Sequence, residues 1–276
     1  MMSAKRSWEL YDRLIDGVPR GIGVVAWSLG RRWSYVASEE GIGIAMTVSG
    51  GVGLGKGADF LGGSAAFANK LDLREMAAYA KSWRFEEASI GVAALNAWYN
   101  IGAHNPGLAE CFKQVSPADS PTPKLANGDP VIRRQGEIIS AEIERMFGRK
   151  VAVVGHFHHL EAYAEHCELT ILERSPSNGD LPDPASEYVL PEQDLVIITG
   201  TAATNKTLPR LLELSQSART VIVGPSAVCS EILFDYGVAL VGGAVVTDVD
   251  AARARLIHGV QLPFGDGVEM VQFRRS

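Results

Sequence analysis

The sequence predicts an α/β protein with a Rossmann-like open, mostly parallel sheet in its C-terminal half and a small α+β unit before it. Three observations carry this reading. Beyond residue 131, short and continuously apolar runs alternate with helical segments, which suits a parallel sheet covered on both faces. Before residue 115, after a short N-terminal helix, β-rich runs are followed by helices, the order of an α+β unit. Between them, residues 116–130 carry four prolines and few apolar side chains, so this stretch holds no helix and buries no face. The expected division is 1–115, a linker at 116–130, and 131–276. A chain of 276 residues accommodates two domains at roughly 150 residues each.

Residues 8–15 read as an amphipathic helix. Strands follow over 23–29, 32–37 and 42–48, with Leu29-Gly30-Arg31 as a hairpin turn between the first two. After a glycine-rich stretch the period changes, and 73–81 and 86–101 become helical. Asp72 is the N-cap of the first, because its carboxylate can accept the unpaired N–H groups of that turn. Past the linker, 137–147 is an amphipathic helix ending at Gly148. Then come a strand over 150–154, a helix over 158–166, strands over 168–172 and 194–199, and a helix over 208–215. A strand over 219–223, a helix over 228–236 and a strand over 238–241 complete the pattern. This order implies right-handed crossovers.

Composition narrows the function. Lys and Arg number 26 against 32 Asp and Glu, a net charge of −6. Without a basic excess to release counterions, nucleic acid is not expected as a partner. No apolar run reaches the roughly 18 residues of a membrane span, so no membrane insertion is expected. The first 17 residues lack a signal-peptide core, and a cytoplasmic protein is the expectation. Cys111, Cys167 and Cys229 lie far apart with no CxxC pair, so reduced thiols are expected rather than a thiolate zinc site. The balance favours a small-molecule ligand; a homo-oligomer stays open.

In an open parallel sheet the ligand sits at the carboxyl ends of the strands. There the sequence offers Gly155-His156-Phe157-His158-His159, then Glu173-Arg174 running to Asp180, then Thr199-Gly200-Thr201 to Asn205, then Gly224-Pro225-Ser226. His156, His158 and Glu173 are the candidate ligands for a divalent transition metal, since imidazole with carboxylate suits a borderline ion. Glu173, Asp180, Thr199, Gly200, Thr201, Asn205, Gly224 and Ser226 are candidates for holding an organic ligand. The Thr199 loop would cradle an anion at the start of the 208–215 helix. The turn Gly155-His156-Phe157-His158-His159 lacks the glycines that admit a pyrophosphate, so a standard NAD site is not expected.

Two features of the first unit add candidates. Gly50-Gly51-Val52-Gly53-Leu54-Gly55-Lys56 fits a phosphate-binding loop until Gly57 replaces the magnesium-binding hydroxyl. It reads as a loop or a lid at a cleft edge, with Lys56 offering charge. Asn96 and Asn100 lie one helical turn apart, as a buried hydrogen-bonding pair or a cleft wall.

The motifs Gly155-His156-Phe157, Glu173-Arg174-x-Pro176 with Gly179-Asp180, Thr199-Gly200-Thr201 with Asn205-x-Thr207, and Gly224-Pro225-Ser226 resemble, in order, those of the family named "Putative heavy-metal chelation". The Asn96-Ala97 segment is similar to its companion upstream domain. The resemblance implies an enolase N-terminal-like domain joined to a Rossmann-like domain, with the site in the cleft between them. His158 departs from the family pattern, where proline is commoner, as does Ala202-Ala203, where threonine is. Three functions follow as expectations: binding of a small ligand or heavy-metal complex between the domains, transferase or lyase chemistry on a nucleotide- or amino-acid-like substrate, or a non-catalytic sensor or carrier linked to transport.

Overall fold

The computed structural model describes residues 4–49, 61–63, 71–101, 135–157, 160–177, 179–252 and 267–275. The expected linker at 116–130, the Gly50–Gly57 stretch with Lys56, and His158 with His159 lie outside the described residues.

The first unit opens with α1 (Ala4–Asp16) and then β1 (Val24–Leu29), β2 (Trp33–Ser38), β3 (Ile42–Met46) and β4 (Leu61–Gly63). They form an antiparallel sheet in the order β3-β2-β1-β4. The β1–β2 turn closes where expected, with Gly30 N–H donating to Trp33 O. β4 falls in a stretch whose glycines read as loop alone; pairing of Leu61 with Leu29 and Gly63 with Trp27 overrides that weak propensity. Asp72 caps α2 (Leu73–Ala77), its carboxylate accepting N–H bonds from Arg74, Glu75 and Gly21. The chain then tightens into a 3-10 turn through Lys81.

α3 (Phe85–Tyr99) has no wet face along most of its length, which marks a helix covered on all sides. It lies so close to β3 that Gly43 is required, because a Cβ there would collide with the Ala93 carbonyl and the Ala97 amide. On the opposite face of the sheet, Trp33, Tyr35, Ile42 and Ile44 pack against Ala244 and Val268 of the second unit. The small sheet is thus sandwiched, which explains why β2 is buried at nearly every position instead of alternating.

The second unit comprises α4 (Gln135–Glu144), β5 (Lys150–Val154), β6 (Glu168–Glu173), β7 (Leu181–Pro182), α5 (Ser186–Val189), β8 (Leu195–Thr199), α6 (Leu208–Leu214), β9 (Arg219–Val223), β10 (Val238–Val246) and β11 (Val268–Phe273). The sheet order is β11-β10-β9-β8-β5-β6-β7, parallel throughout except for β11. From β5 the chain steps outward through β6 and β7; from β8 it steps outward the other way. The point of reversal lies between β5 and β8, the position where open α/β sheets hold ligands.

Three expectations about elements are corrected. The helix expected over 158–166 is, within the described residues, a 3-10 turn at Leu160–Tyr163. The helix expected over 228–236 begins only at Glu231, as a 3-10 helix capped by Ser230, because the chain just before it is held in irregular conformation by Asn100. The last strand runs to Val246 and not Val241: pairing with β11, unforeseen in the sequence, carries it through Gly242-Gly243.

The units are joined by a shared core. Leu10, Leu14, Val36 and Leu95 belong to one apolar cluster with Ala203, Leu208, Ile222, Val241 and Phe273. Buried hydrogen bonds fix the docking. Asn100 Nδ2 donates to Ala227 O (3.0 Å) and Ala244 O (2.9 Å), while its Oδ1 accepts from Cys229 N (2.8 Å). Asn96 Nδ2 donates to Pro225 O at 3.4 Å, Ser226 Oγ accepts from Met46 N at 2.9 Å, and Tyr11 Oη donates to Ala203 O at 2.6 Å. Among the described residues no helix is long and apolar enough to cross a membrane.

Candidate functional site

Four chain segments converge on a cavity of about 480 Å³ at the point of strand reversal. Gly155, His156 and Phe157 come from the end of β5, and Glu173, Arg174 and Ser175 from the end of β6. Thr199, Thr201, Asn205 and Thr207 come from the end of β8. Met46, Thr47, Val48 and Ser49, leaving β3 of the first unit, close the remaining side, and Asp183 adds a carboxylate. The volume lies within the range of small-molecule sites, and the walls mix a few apolar side chains with many hydroxyl and charged groups.

Glu173 organises the floor. Its Oε2 accepts from His156 N (2.9 Å) and its Oε1 from Arg174 N (2.7 Å) and Ser175 N (3.4 Å), so one carboxylate ties the β5 loop to the β6 loop. Gly155 makes the turn into that loop possible with φ of 102°, a left-handed conformation that side chains disfavour. His156 is held in turn: its Nδ1 lies 3.1 Å from Oδ2 of Asp180, whose side chain is only 2% exposed. Burial opposes the charge on Asp180. The N–H and hydroxyl of Ser177, at 3.0 and 2.8 Å, together with His156, outweigh it and hold the carboxyl below its ordinary value. With Nδ1 held by Asp180, Nε2 faces Glu161, whose Oε1 lies 3.5 Å away. Asp183 moves the opposite way: burial raises its carboxyl, Arg174 pulls it down, and the charge of Glu173 pushes it up again.

The β8 loop is a set of mutual caps. Thr199 Oγ1 and Thr201 Oγ1 lie 3.0 Å apart, and Asn205 Oδ1 accepts from the amide and hydroxyl of Thr207. Lys206, between two cavity residues, has φ of 71°, uncommon for a side chain that is not Asn, Asp or Gly. Its Nζ donates to Thr204 O (2.6 Å), and burial pulls the ammonium down to about 8.

Of the residues singled out in the sequence, His156, Glu173, Thr199, Thr201 and Asn205 line the cavity. Asp180 stands behind His156 as its partner. Gly200, Gly224, Ser226 and Asn96 are buried behind the wall or between the units rather than facing the space, and Asn96 with Asn100 joins the units. Lys56 and His158 lie outside the described residues. Other cavity residues carried no such expectation, among them Thr47, Ser49, Arg174 as a functional group, Ser175 and Asp183. For Thr47 and Ser49 the signal was the β3 end at 46–49, which has to face some strand-end loop once the units dock.

Of the expected metal set, His156 and Glu173 share the cavity and His158 lies outside the described residues. Among the described residues no group of three or more His, Cys, Asp or Glu side chains is placed to hold an ion. Glu173 is occupied by backbone amides, His156 Nδ1 by Asp180, and the thiols of Cys167 and Cys229 are buried in the packing.

The chain is similar to other proteins along most of its length. Two family models, both described as "Putative heavy-metal chelation", match residues 11–99 and 138–269. An uncharacterized protein of Methanocaldococcus jannaschii is 28% identical over 193 residues, 66% of this chain and 63% of that protein, so the match spans less than two thirds of the relative. A solved structure of a protein with unknown function from Pyrococcus horikoshii, 18% identical, shares the fold with a TM-score of 0.67 over 98% of this chain and all of that one. A second, from Desulfitobacterium hafniense DCB-2, is 33% identical with a TM-score of 0.76, covering 99% of this chain and 100% of its own. With a solved relative of that identity along its whole length, and both units matched by the family's models, the chain belongs to the DUF364 family.

Proposed function

We propose that the protein binds a small polar organic ligand, a metal chelator or its heavy-metal complex, in the cavity between its two units. The observation that supports this most is the cavity's position. It lies at the reversal point of the parallel sheet, is walled by residues of both units, and has a volume of about 480 Å³. The family description supplies the heavy metal as cargo, and the donor set decides how it arrives. Two or fewer free donors among the described residues leave most of a transition ion's coordination sphere to be filled by the ligand itself. The protein would recognise the organic shell through hydroxyls and amides. Domain division within 116–130 belongs to the same reading.

The test is to analyse the protein as purified for metal and small molecules together, beside Thr201→Trp, which fills the cavity. A ligand present in near-stoichiometric amount in the wild type and lost from the variant is expected. An equal amount in both would reject the site.

One observation favours an enzymatic reading beside it. A buried aspartate fixing one nitrogen of a cavity histidine, as Asp180 fixes His156, is the arrangement of a general base. It would suit a transferase or lyase step on the bound ligand, read as product formation that His156→Asn abolishes without loss of binding.

A further inference from the structure

We propose that Arg174 forms an oxyanion subsite at the cavity rim, so that the ligand carries a carboxylate or phosphate group. This rests on the cavity being the binding site. Among the described residues lining the cavity, Arg174 is the one permanent cation. Its guanidinium lies over the Phe85 ring, Cζ 5.3 Å from the centroid, a contact that helps hold the group at the rim. Its ionic partner among the described residues is Asp183, with Nε 3.5 Å from Oδ2, too long for a good hydrogen bond, and neither Nη group is hydrogen-bonded there. An arginine with both Nη groups open is set for a bidentate oxyanion.

The surrounding charge favours the same occupant. Lys206 Nζ lies 5.7 Å from the same Phe85 centroid, so two cations share one ring, and the carboxylate paired with Arg174 among the described residues is Asp183. The other cavity carboxylate, Glu173, is already met by three backbone N–H groups and projects less repulsion. Ser175 and Thr201 hydroxyls line the same space as donors for further anion oxygens. A bound oxyanion would displace Asp183 from Arg174.

The experiment is calorimetric titration of the full chain with citrate, inorganic phosphate and, as an uncharged probe, adenosine. It uses wild type, Arg174→Gln, Arg174→Lys, Asp183→Asn and Thr201→Trp, each checked for an unchanged unfolding midpoint. Wild type is expected to bind citrate or phosphate, and which of the two it binds identifies the source of the oxyanion. Affinity should fall about tenfold or more in Arg174→Gln and less in Arg174→Lys, and should rise in Asp183→Asn, where the competing carboxylate is gone. That rise is a gain that mere damage to the fold would not produce. Anion binding that is absent, or equal in wild type and Arg174→Gln, overturns the proposal. If adenosine alone binds, and Thr201→Trp abolishes it, the anion subsite falls while the cavity reading stands. If no probe binds and no ligand co-purifies, both fall.

Discussion

Lys206 shows how a single residue can pay attention to two environments at once. Its backbone holds a left-handed φ of 71° between Asn205 and Thr207, and its side chain leaves the cavity for the rings of Tyr11 and Phe85. Burial lowers its ammonium to about 8, against an ordinary value near 10.5. The sign of the consequence is fixed. Between those two values the unfolded chain binds the proton more strongly than the folded one, so this residue's contribution to stability rises with pH across that window. Denaturant titrations of wild type and Lys206→Met at pH 7 and pH 10.5 should show the wild type gaining on the variant at the higher pH; a constant difference would refute the assignment. At this scale the sequence was a partial guide. His156, Glu173, Thr199 and Thr201 were visible as cavity residues because each lies at, or within two residues of, the end of a recognisable strand. Arg174 and Asp183 were not, since a charged residue in a loop looks the same whether it faces solvent or a cavity.

At the level of elements, the parallel strands β5, β6, β8 and β9 were legible because strands of five or six residues with mostly apolar centres have few alternatives in a chain that also alternates with helices. β11 and β4 were not, because their existence depends on partners far away in sequence, Val241–Val246 and Trp27–Leu29. The 3-10 turn at Glu231–Tyr236 was misread as a longer helix because local propensity knows nothing of the amide of Asn100 pulling on Cys229. The contact of α3 with β3 offers a direct test. Gly43→Ala would drive a methyl into the backbone of Ala93 and Ala97, where no flexible side chain can yield. The expected cost is about 1–3 kcal/mol or somewhat more, measured as a lowered midpoint in urea. A neutral result would mean that helix and strand are not as closely packed as described.

For the molecule as a whole, the two-part organisation was legible and its unity was not. Prolines in 116–130 announced a division. Nothing local announced that Tyr11, Asn96 and Asn100 would find partners more than a hundred residues away. Asn100 is the sharpest probe of this unity, because its three hydrogen bonds all reach the second unit. Asn100→Ala takes a hydrogen-bond partner from two buried carbonyls and one buried amide, which predicts a loss of about 3 kcal/mol. The same variant should make fluorescence and circular dichroism report separate unfolding transitions where the wild type shows one. A single unchanged transition would mean that the units are coupled by apolar packing alone.

The core that Leu10, Leu14 and Val36 share with Ile222 and Phe273 constrains how such a protein can have been assembled. Although each half is recognisable on its own, a gene cut between them would yield two polypeptides with raw apolar flanks. Neither half could be traded for a foreign module unless the newcomer brought a matching surface. Fusion and co-inheritance of the two halves are therefore what the packing demands, whatever molecule they hold between them.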